Sequence, residues 1–212
     1  MKKGILALIA VWAALVGAFA AGAMDLPRRV EGTGLRVVEM GVYDGPYLED
    51  NTGDPVAGVA ALFIQNVSGR MIRRGTVVLK EGERELVFEV SGLPPGQTAF
   101  VAEAGRQPYE AGLVSRCRGW SLEEDWPEWL CYVSVEEEGM SGLRLTNRTD
   151  RVLTGVRALY RSVDPGSGIF LGGICFETEP ISLLPGQSVL LTPYRYVSGY
   201  SRLITVLVTP EP

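Results

Sequence analysis

Alternating apolar and polar positions run through most of this chain and predict β-strands. Residues 143–146 read Leu-Arg-Leu-Thr, and residues 86–90 and 131–136 show the same period of two. Because alternate side chains of a strand point to opposite faces, each of these segments has one apolar face. Residues 59–64 and 203–208 are apolar at both parities, which is typical of strands buried on two sides. The pattern therefore predicts an all-β protein.

Clusters of turn residues separate the predicted strands. They combine Asp, Asn, Gly and Pro, and they lie at residues 44–46, 51–55, 94–96, 164–168 and 185–186. No stretch beyond the N-terminal leader has a convincing helical stripe, and residues 122–130 allow at most a turn or two. Short strands joined by such turns favour sandwich architectures.

The chain carries one pattern of strands and turns twice, over residues 59–103 and again over 142–194. The shared skeleton is a strand, Asn-x-Ser/Thr, two strands, a Leu-x-Pro-Gly-Gln-Ser/Thr turn and a fourth strand. Such repetition marks a duplicated supersecondary unit. We predict two tandem immunoglobulin-like antiparallel β-sandwiches, over residues 30–108 and 112–209, after an N-terminal hydrophobic leader helix. The expected boundary lies near residues 105–112.

Both motifs of the repeat have structural interpretations. In the turns at residues 93–98 and 184–188, Pro fixes φ, Gly admits a positive φ, and Leu closes the end of the core. Asn66 and Asn147 begin glycosylation sequons, but their equivalent places in the two copies indicate that each one stabilises a turn between strands.

The N-terminal segment predicts the location of the protein. Lys2 and Lys3 precede an uncharged run over residues 4–23, in which small residues offer cleavage sites. The same run is about long enough to span a hydrocarbon layer of roughly 30 Å as a helix. Residues 1–23 are therefore predicted to be a signal peptide or a signal anchor. Either one makes the remainder extracytoplasmic, as a secreted protein or one anchored at the cell surface.

The charge balance narrows the range of partners. The chain has 20 basic and 25 acidic residues, a net charge of −5. Nucleic acids and anionic lipids call for clustered Lys and Arg, so we expect no nucleic acid, and membrane contact only through the N-terminal segment if it is uncleaved. An envelope protein or a glycan remains as a partner.

Side-chain chemistry argues against catalysis. The chain contains no histidine, which removes Ser-His-Asp and Cys-His systems and imidazole metal sites. No phosphate-binding Gly-rich loop follows a strand, and three scattered cysteines do not make a zinc site. We expect no cofactor, no metal and no enzymatic activity. Carboxylates such as Glu124 and Glu128 leave a glycosidase-like hydrolase as an alternative.

A tryptophan-rich segment carries the candidate contact residues. Trp120, Trp126 and Trp129 are interleaved with acidic residues, among them Glu124. Aromatic rings beside carboxylates stack on sugar faces or anchor a protein partner. The alternative is that the rings pack into a core and the acids remain in water.

The cysteines that flank this segment are a candidate disulfide. Cys117 and Cys131 are the natural pair in an oxidising exterior, and closing their loop would contribute roughly 3 kcal/mol. Three buried thiols, or a pair between Cys175 and one of the others, are the alternatives.

The repeat motifs also carry a family resemblance. In the second copy, residues 143–147, 156–160 and 184–188 resemble immunoglobulin-like modules of bacterial envelope proteins, of the CARDB and FxLYD type. Through residues 43–50 and 198–201 the whole chain is similar to a group of exported two-domain proteins from Gram-positive anaerobes. This resemblance implies an exported β-sandwich protein.

These observations predict a non-catalytic, exported envelope protein that acts in binding or scaffolding, with the ligand left open. The first alternative is a carbohydrate-binding module that uses the loop of Trp120, Trp126 and Trp129. The second alternative is a carboxylate-based hydrolase.

Overall fold

A computed structural model describes residues 25–50, 52–110, 114–125 and 132–209. The described residues form strands and turns without any helix, which confirms the predicted all-β class. The predicted leader helix over residues 1–23 lies outside the described residues. Within the described part, no helix has the length and hydropathy needed to cross a membrane.

Fifteen strands follow one another along the described chain. They are β1 (Arg28–Arg29), β2 (Leu35–Pro46), β3 (Pro55–Asn66), β4 (Met71–Glu81), β5 (Arg84–Leu93), β6 (Thr98–Ala102), β7 (Val114–Glu124), β8 (Val133–Glu138), β9 (Gly142–Asn147), β10 (Leu153–Ser162), β11 (Phe170–Leu171), β12 (Phe176–Glu177), β13 (Ile181–Leu183), β14 (Ser188–Leu191) and β15 (Ser201–Thr209).

The chain divides into two compact units. Unit 1 contains Met1–Glu124 and Gly166–Ile174, and unit 2 contains Asp125–Pro165 and Cys175–Pro212. A segment late in the sequence therefore belongs to the unit that the first half of the chain builds.

Unit 1 has two sheets, with strand orders β1-β2-β3-β6-β11 and β5-β4-β7. All pairings are antiparallel except that of β11 with β6, where Phe170 lies opposite Ala99 in a parallel register. Residues 59–62 of β3 are all buried, as their two-sided apolar pattern predicts. On one face of this sheet, Tyr43 and Phe100 pack edge to face with ring centroids 4.9 Å apart.

Unit 2 places β14-β9-β8 in one sheet, and β10 pairs with β12, β13 and β15 in the other. Its core takes side chains from both sheets, so unit 2 is a sandwich. The buried members are Val133, Leu143, Leu145, Val156, Ala158, Tyr160, Leu183, Tyr196, Val206 and Val208.

The two units share one set of strand neighbours. In unit 1, β3 lies between β2 and β6, and β4 lies between β5 and β7. In unit 2, β9 lies between β8 and β14 in the same way, and β10 pairs with β13 and β15. The repeated motifs thus fold into equivalent strands, and the flanking strands β7 and β15 occupy equivalent places.

A buried asparagine closes the same turn in each unit. The Asn66 amide donates to the carbonyls of Arg70 and Leu93, both at 2.8 Å, and the Asn66 Oδ1 accepts from the Ser68 N–H at 2.9 Å. The Asn147 amide donates equivalently to the carbonyls of Arg151, at 2.7 Å, and Leu183, at 3.0 Å. These bonds confirm the predicted asparagine-stabilised turns.

The Pro-Gly-Gln turns also adopt the predicted backbone. Gly96 has a φ of 73° and Gly186 a φ of 69°, a region that favours glycine. Leu93 is fully buried beside the first turn and closes the end of its core, as predicted. In the second turn the prediction was wrong, because Leu184 is 59% exposed and the preceding Leu183 is the buried leucine.

The structure moves the boundary between the halves of the chain. The sequence pattern predicts this boundary near residues 105–112, with residue 114 onward in the second sandwich. Instead, β7 pairs with β4 from Met71–Glu124 to Glu81–Val114, and the first unit runs to Glu124. β4 pairs with β5 on one side and with β7 on the other. β7 therefore completes a sheet of the first unit and does not begin the second sandwich.

Candidate functional site

Unit 1 contains a cavity of ≈ 490 Å³, within the range of about 300–1,000 Å³ that is usual for small-molecule sites. Its lining combines apolar, aromatic and charged side chains from β4, β5 and β7 with residues of the segment 166–174. Residues 47–50 and 102–106 also contribute to the lining. The lining side chains that could bond or stack with a ligand include Glu49, Arg74, Thr76, Glu89, Arg106 and Trp120.

One wall of the cavity is a row of side chains across the outer face of the sheet β5-β4-β7. Thr76 on β4 lies opposite Glu89 on β5 and opposite Trp120 on β7. Directly opposed residues have Cβ atoms about 5 Å apart, so the carboxylate, hydroxyl and indole form one line. Arg74 lies two positions before Thr76 on the same face, about 7 Å along the strand.

The strand pattern explains why these residues face outward. Gly75, Val77 and Leu79 of β4 are buried, so the alternating positions Arg74 and Thr76 must point away from the core. The Trp120 indole is 52% exposed on β7, which is unusual for so large an apolar side chain.

Two charges on this wall are available to a ligand. Arg74 and Glu89 are both exposed, and neither side chain has a hydrogen bond or ion pair with the described residues. On the same face, Arg118 is paired with Glu85 at 2.8 Å. The cavity thus presents one unpaired cation and one unpaired anion beside an exposed indole.

A second wall of the cavity is held by a partly buried network of hydrogen bonds to the backbone. The Glu49 carboxylate accepts the Ala102 N–H at 2.9 Å and the Gly173 N–H at 2.6 Å. The Gly173 carbonyl in turn accepts the Ser91 N–H at 2.7 Å. Because both carboxylate oxygens and the glycine backbone are engaged, this wall is fixed before any ligand arrives.

An aromatic and ionic corner completes the lining. The Arg106 guanidinium lies 4.5 Å from the centroid of the Tyr47 ring and pairs with Asp50. Burial, with a contribution from nearby Glu49, raises the pKa of Tyr47 to about 12, so its hydroxyl remains protonated. Although desolvation acts to raise it, hydrogen bonds from Thr52 and Arg106 hold the pKa of Asp50 below its usual value.

The structure treats the predicted contact residues differently. Trp120 lines the cavity, whereas Glu124 forms an ion pair with Arg73 at 2.7 Å and does not belong to the lining. Trp126 and Trp129 lie outside the described residues. The wall therefore joins Trp120 to Thr76, Glu89 and Arg74, which sequence reasoning missed and which only the strand register could have found.

Neither Cys117 nor Cys175 belongs to the cavity lining. Cys117 is a buried thiol on β7, and burial raises its pKa. Its predicted partner Cys131 lies outside the described residues, so the disulfide stays a prediction. Burial raises the pKa of Cys175 to about 11, which keeps that thiol protonated at neutral pH. Among the described residues, no group of three or more carboxylates or thiols is arranged to hold a metal ion.

The arrangement is suited to recognition. The indole offers a flat apolar face, the guanidinium donates hydrogen bonds, and the carboxylate accepts them. Comparison with models of known protein families, with curated proteins and with solved structures finds no match for this chain. The geometry of the cavity is therefore the basis for assigning a function.

Proposed function

We propose that this chain is a non-catalytic, exported binding protein of the cell envelope, and that its ligand contacts the cavity of unit 1. The observation that carries the proposal is Trp120, which is 52% exposed at a cavity edge on a paired strand. Exposed aromatic rings on rigid elements are the usual anchors of binding sites, because they bury a large apolar area with little loss of side-chain entropy.

A binding role agrees with the remaining polar groups of the cavity. Arg74 and Glu89 carry no internal partner among the described residues, so a ligand can use both without breaking an existing ion pair. The wall around Glu49 and Gly173 is already ordered by hydrogen bonds. Little reorganisation is then needed on binding, which favours affinity.

Two features support a non-catalytic role. The sequence has no histidine, and Glu124, one of the acids considered for hydrolysis, is engaged by Arg73. The apolar run that precedes the sandwiches supports export.

The test is capture of envelope material on the purified protein. Immobilised protein is incubated with solubilised envelope from the source cells, and retained proteins and glycans are identified by mass spectrometry. We expect Trp120→Ala to lose the retained ligand. Leu122→Ala is the matched control, because Leu122 is 48% exposed on the same face of β7 but does not line the cavity.

The two variants give distinct outcomes. Retention by the Leu122→Ala variant and loss by the Trp120→Ala variant would support the cavity as the binding site. Equal retention by both variants, or turnover of any retained glycan, would contradict the proposal.

A further inference from the structure

We infer that the ligand of the unit 1 cavity is a neutral saccharide whose ring stacks on Trp120 while Arg74 and Glu89 hold its hydroxyl groups. This inference rests on the proposed function and names the ligand class. It depends on the sign of the unpaired charges, on their spacing, and on the equivalent face of unit 2.

The unpaired charges argue against a ligand whose charge is of one sign only. An anion beside Arg74 would also face the Glu89 carboxylate, and a cation stacked on Trp120 would also face the Arg74 guanidinium. In either case one favourable contact is offset by a repulsive one. A hydroxyl group suits both partners, because it accepts a hydrogen bond from a guanidinium and donates one to a carboxylate.

The spacing agrees with a ring that carries hydroxyls along one edge. Thr76 separates Glu89 from Trp120 in the row, and Arg74 is about 7 Å further along β4. A ring lying on the indole therefore has its edge directed at Thr76 and the two charged groups. Hydrogen bonds to charged partners are the stronger class, so such a site binds without a deep enclosure.

The equivalent face of unit 2 differs from this row. Thr76 and Arg157 each lie ten positions after the buried asparagine of their unit. The edge-strand neighbour of Arg157 is Leu207 rather than a tryptophan, and Arg157 is paired with Glu177 at 3.2 Å. Among the described residues, the combination of indole, hydroxyl and unpaired charges is therefore not repeated at the equivalent positions of unit 2.

The cavity floor is consistent with this ligand class. Ala102 and Val90 supply small apolar surfaces, and the Tyr47 ring is covered by Arg106. A saccharide has apolar C–H faces and polar edges. The lining likewise contains both apolar and polar side chains. The volume of ≈ 490 Å³ is of the order expected for a small ligand.

The experiment is isothermal titration calorimetry of the full chain with three neutral probes, namely cellotetraose, maltotetraose and tetra-N-acetylchitotetraose. We expect at least one to bind, with an affinity that does not change between low and high salt because the ligand carries no charge. Trp120→Ala should weaken binding by at least about tenfold. Arg74→Gln and Glu89→Gln should each weaken it by about tenfold.

Matched controls keep the result interpretable. Leu122→Ala removes an exposed apolar side chain from the same strand face, while Arg118→Gln and Glu85→Gln remove charges of the same sheet outside the cavity lining. We expect these three variants to bind as the parent does. Unfolding midpoints equal to that of the parent show that each variant is folded.

Three outcomes would overturn the inference. The first is the absence of binding to all three probes at about 10 mM, a weak-affinity limit. The second is binding that survives Trp120→Ala. The third is markedly tighter, salt-dependent binding of tetramethylammonium or of an oligogalacturonide. Failure of the saccharide probes while Trp120-dependent capture of an envelope protein persists would leave the proposed function standing and remove only the ligand class.

Discussion

The buried asparagines decide the turns of both units. Asn66 and Asn147 are 0% and 1% exposed, so their amides face the interior rather than solvent. Each amide satisfies two backbone carbonyls that would otherwise be buried without a donor. A glycan on either side chain is incompatible with these contacts, although both positions match the sequon.

Replacing one of these amides should therefore be costly. We expect Asn66→Ala to lower the free energy of unfolding by about 2–4 kcal/mol, because it leaves buried backbone groups unsatisfied. Asn66→Asp should be at least as harmful, since a carboxylate cannot donate to the Arg70 and Leu93 carbonyls. Urea denaturation followed by circular dichroism measures both.

A control separates this effect from the loss of any hydrogen bond. The Thr146 hydroxyl bonds Ser188 at 2.7 Å at an exposed site, so Thr146→Ala should change the unfolding free energy by less than about 0.5 kcal/mol. A cost below about 1 kcal/mol for Asn66→Ala would contradict the role given to the buried amide.

At the scale of elements, Gly173 fixes the wall of the cavity. A Cβ atom at this position would lie 1.8 Å from the Glu89 carbonyl oxygen, a backbone atom that cannot rotate away. The contact holds residues 166–174 against β5, where Ser91 donates to the Gly173 carbonyl. The short strand β11 and the cavity wall therefore depend on the absence of a side chain here.

We expect Gly173→Ala to destabilise unit 1 by about 2 kcal/mol or more, because the clash must separate the two backbones. The same variant should weaken ligand capture, since Gly173 and Ile174 line the cavity. Thermal and urea unfolding measure the stability. Gly69→Ala is the control, because nothing lies within 4 Å of its Cβ position. Equal stability of the two variants would show that the close approach is not required.

The elements differ in how far the sequence predicts them. The four repeated strands of each unit follow from the period-two pattern and from turns set by Asn66, Gly96 and their counterparts. The position of β7 does not follow from the sequence, because β7 and its counterpart β15 share no sequence motif. Assigning Val114 onward to the second sandwich was therefore a natural error, and only the pairing with β4 corrects it.

At the scale of the whole molecule, unit 1 is built from two distant parts of the chain. Residues 166–174 add β11 to β6 in parallel, although in sequence they lie between the two halves of unit 2. The sequence pattern does not predict this pairing, because a strand of two residues is too short to show the alternation of apolar and polar positions. The candidate site was not predicted either, because Trp120 comes to lie opposite Thr76 only through the long-range pairing of β7 with β4.

A fragment that ends at Glu124 should reveal the contribution of this addition. In residues 25–124, β6 retains β3 but lacks β11. We expect the backbone amides of β6 to exchange with deuterium at least about tenfold faster than in the full chain, because one edge is opened. Adding a synthetic peptide of residues 166–174 should restore part of the protection.

The fragment contains its own control. Strand β4 keeps both of its neighbours, β5 and β7, so its amides should remain protected. Uniform loss of protection over β4 and β6 would mean that the fragment does not fold, and unchanged protection of β6 would mean that β11 contributes nothing.

Strand β11 is synthesised well after β6, so β6 lacks one of its neighbours while the chain is being translated. A ribosome that has finished β6 must still add about 70 residues before Leu171 exists, which takes roughly 4 to 14 seconds at ordinary elongation rates. For that interval the growing polypeptide displays an open strand edge that any neighbouring nascent chain can join. The length of this exposure is set by topology, and slower translation lengthens it.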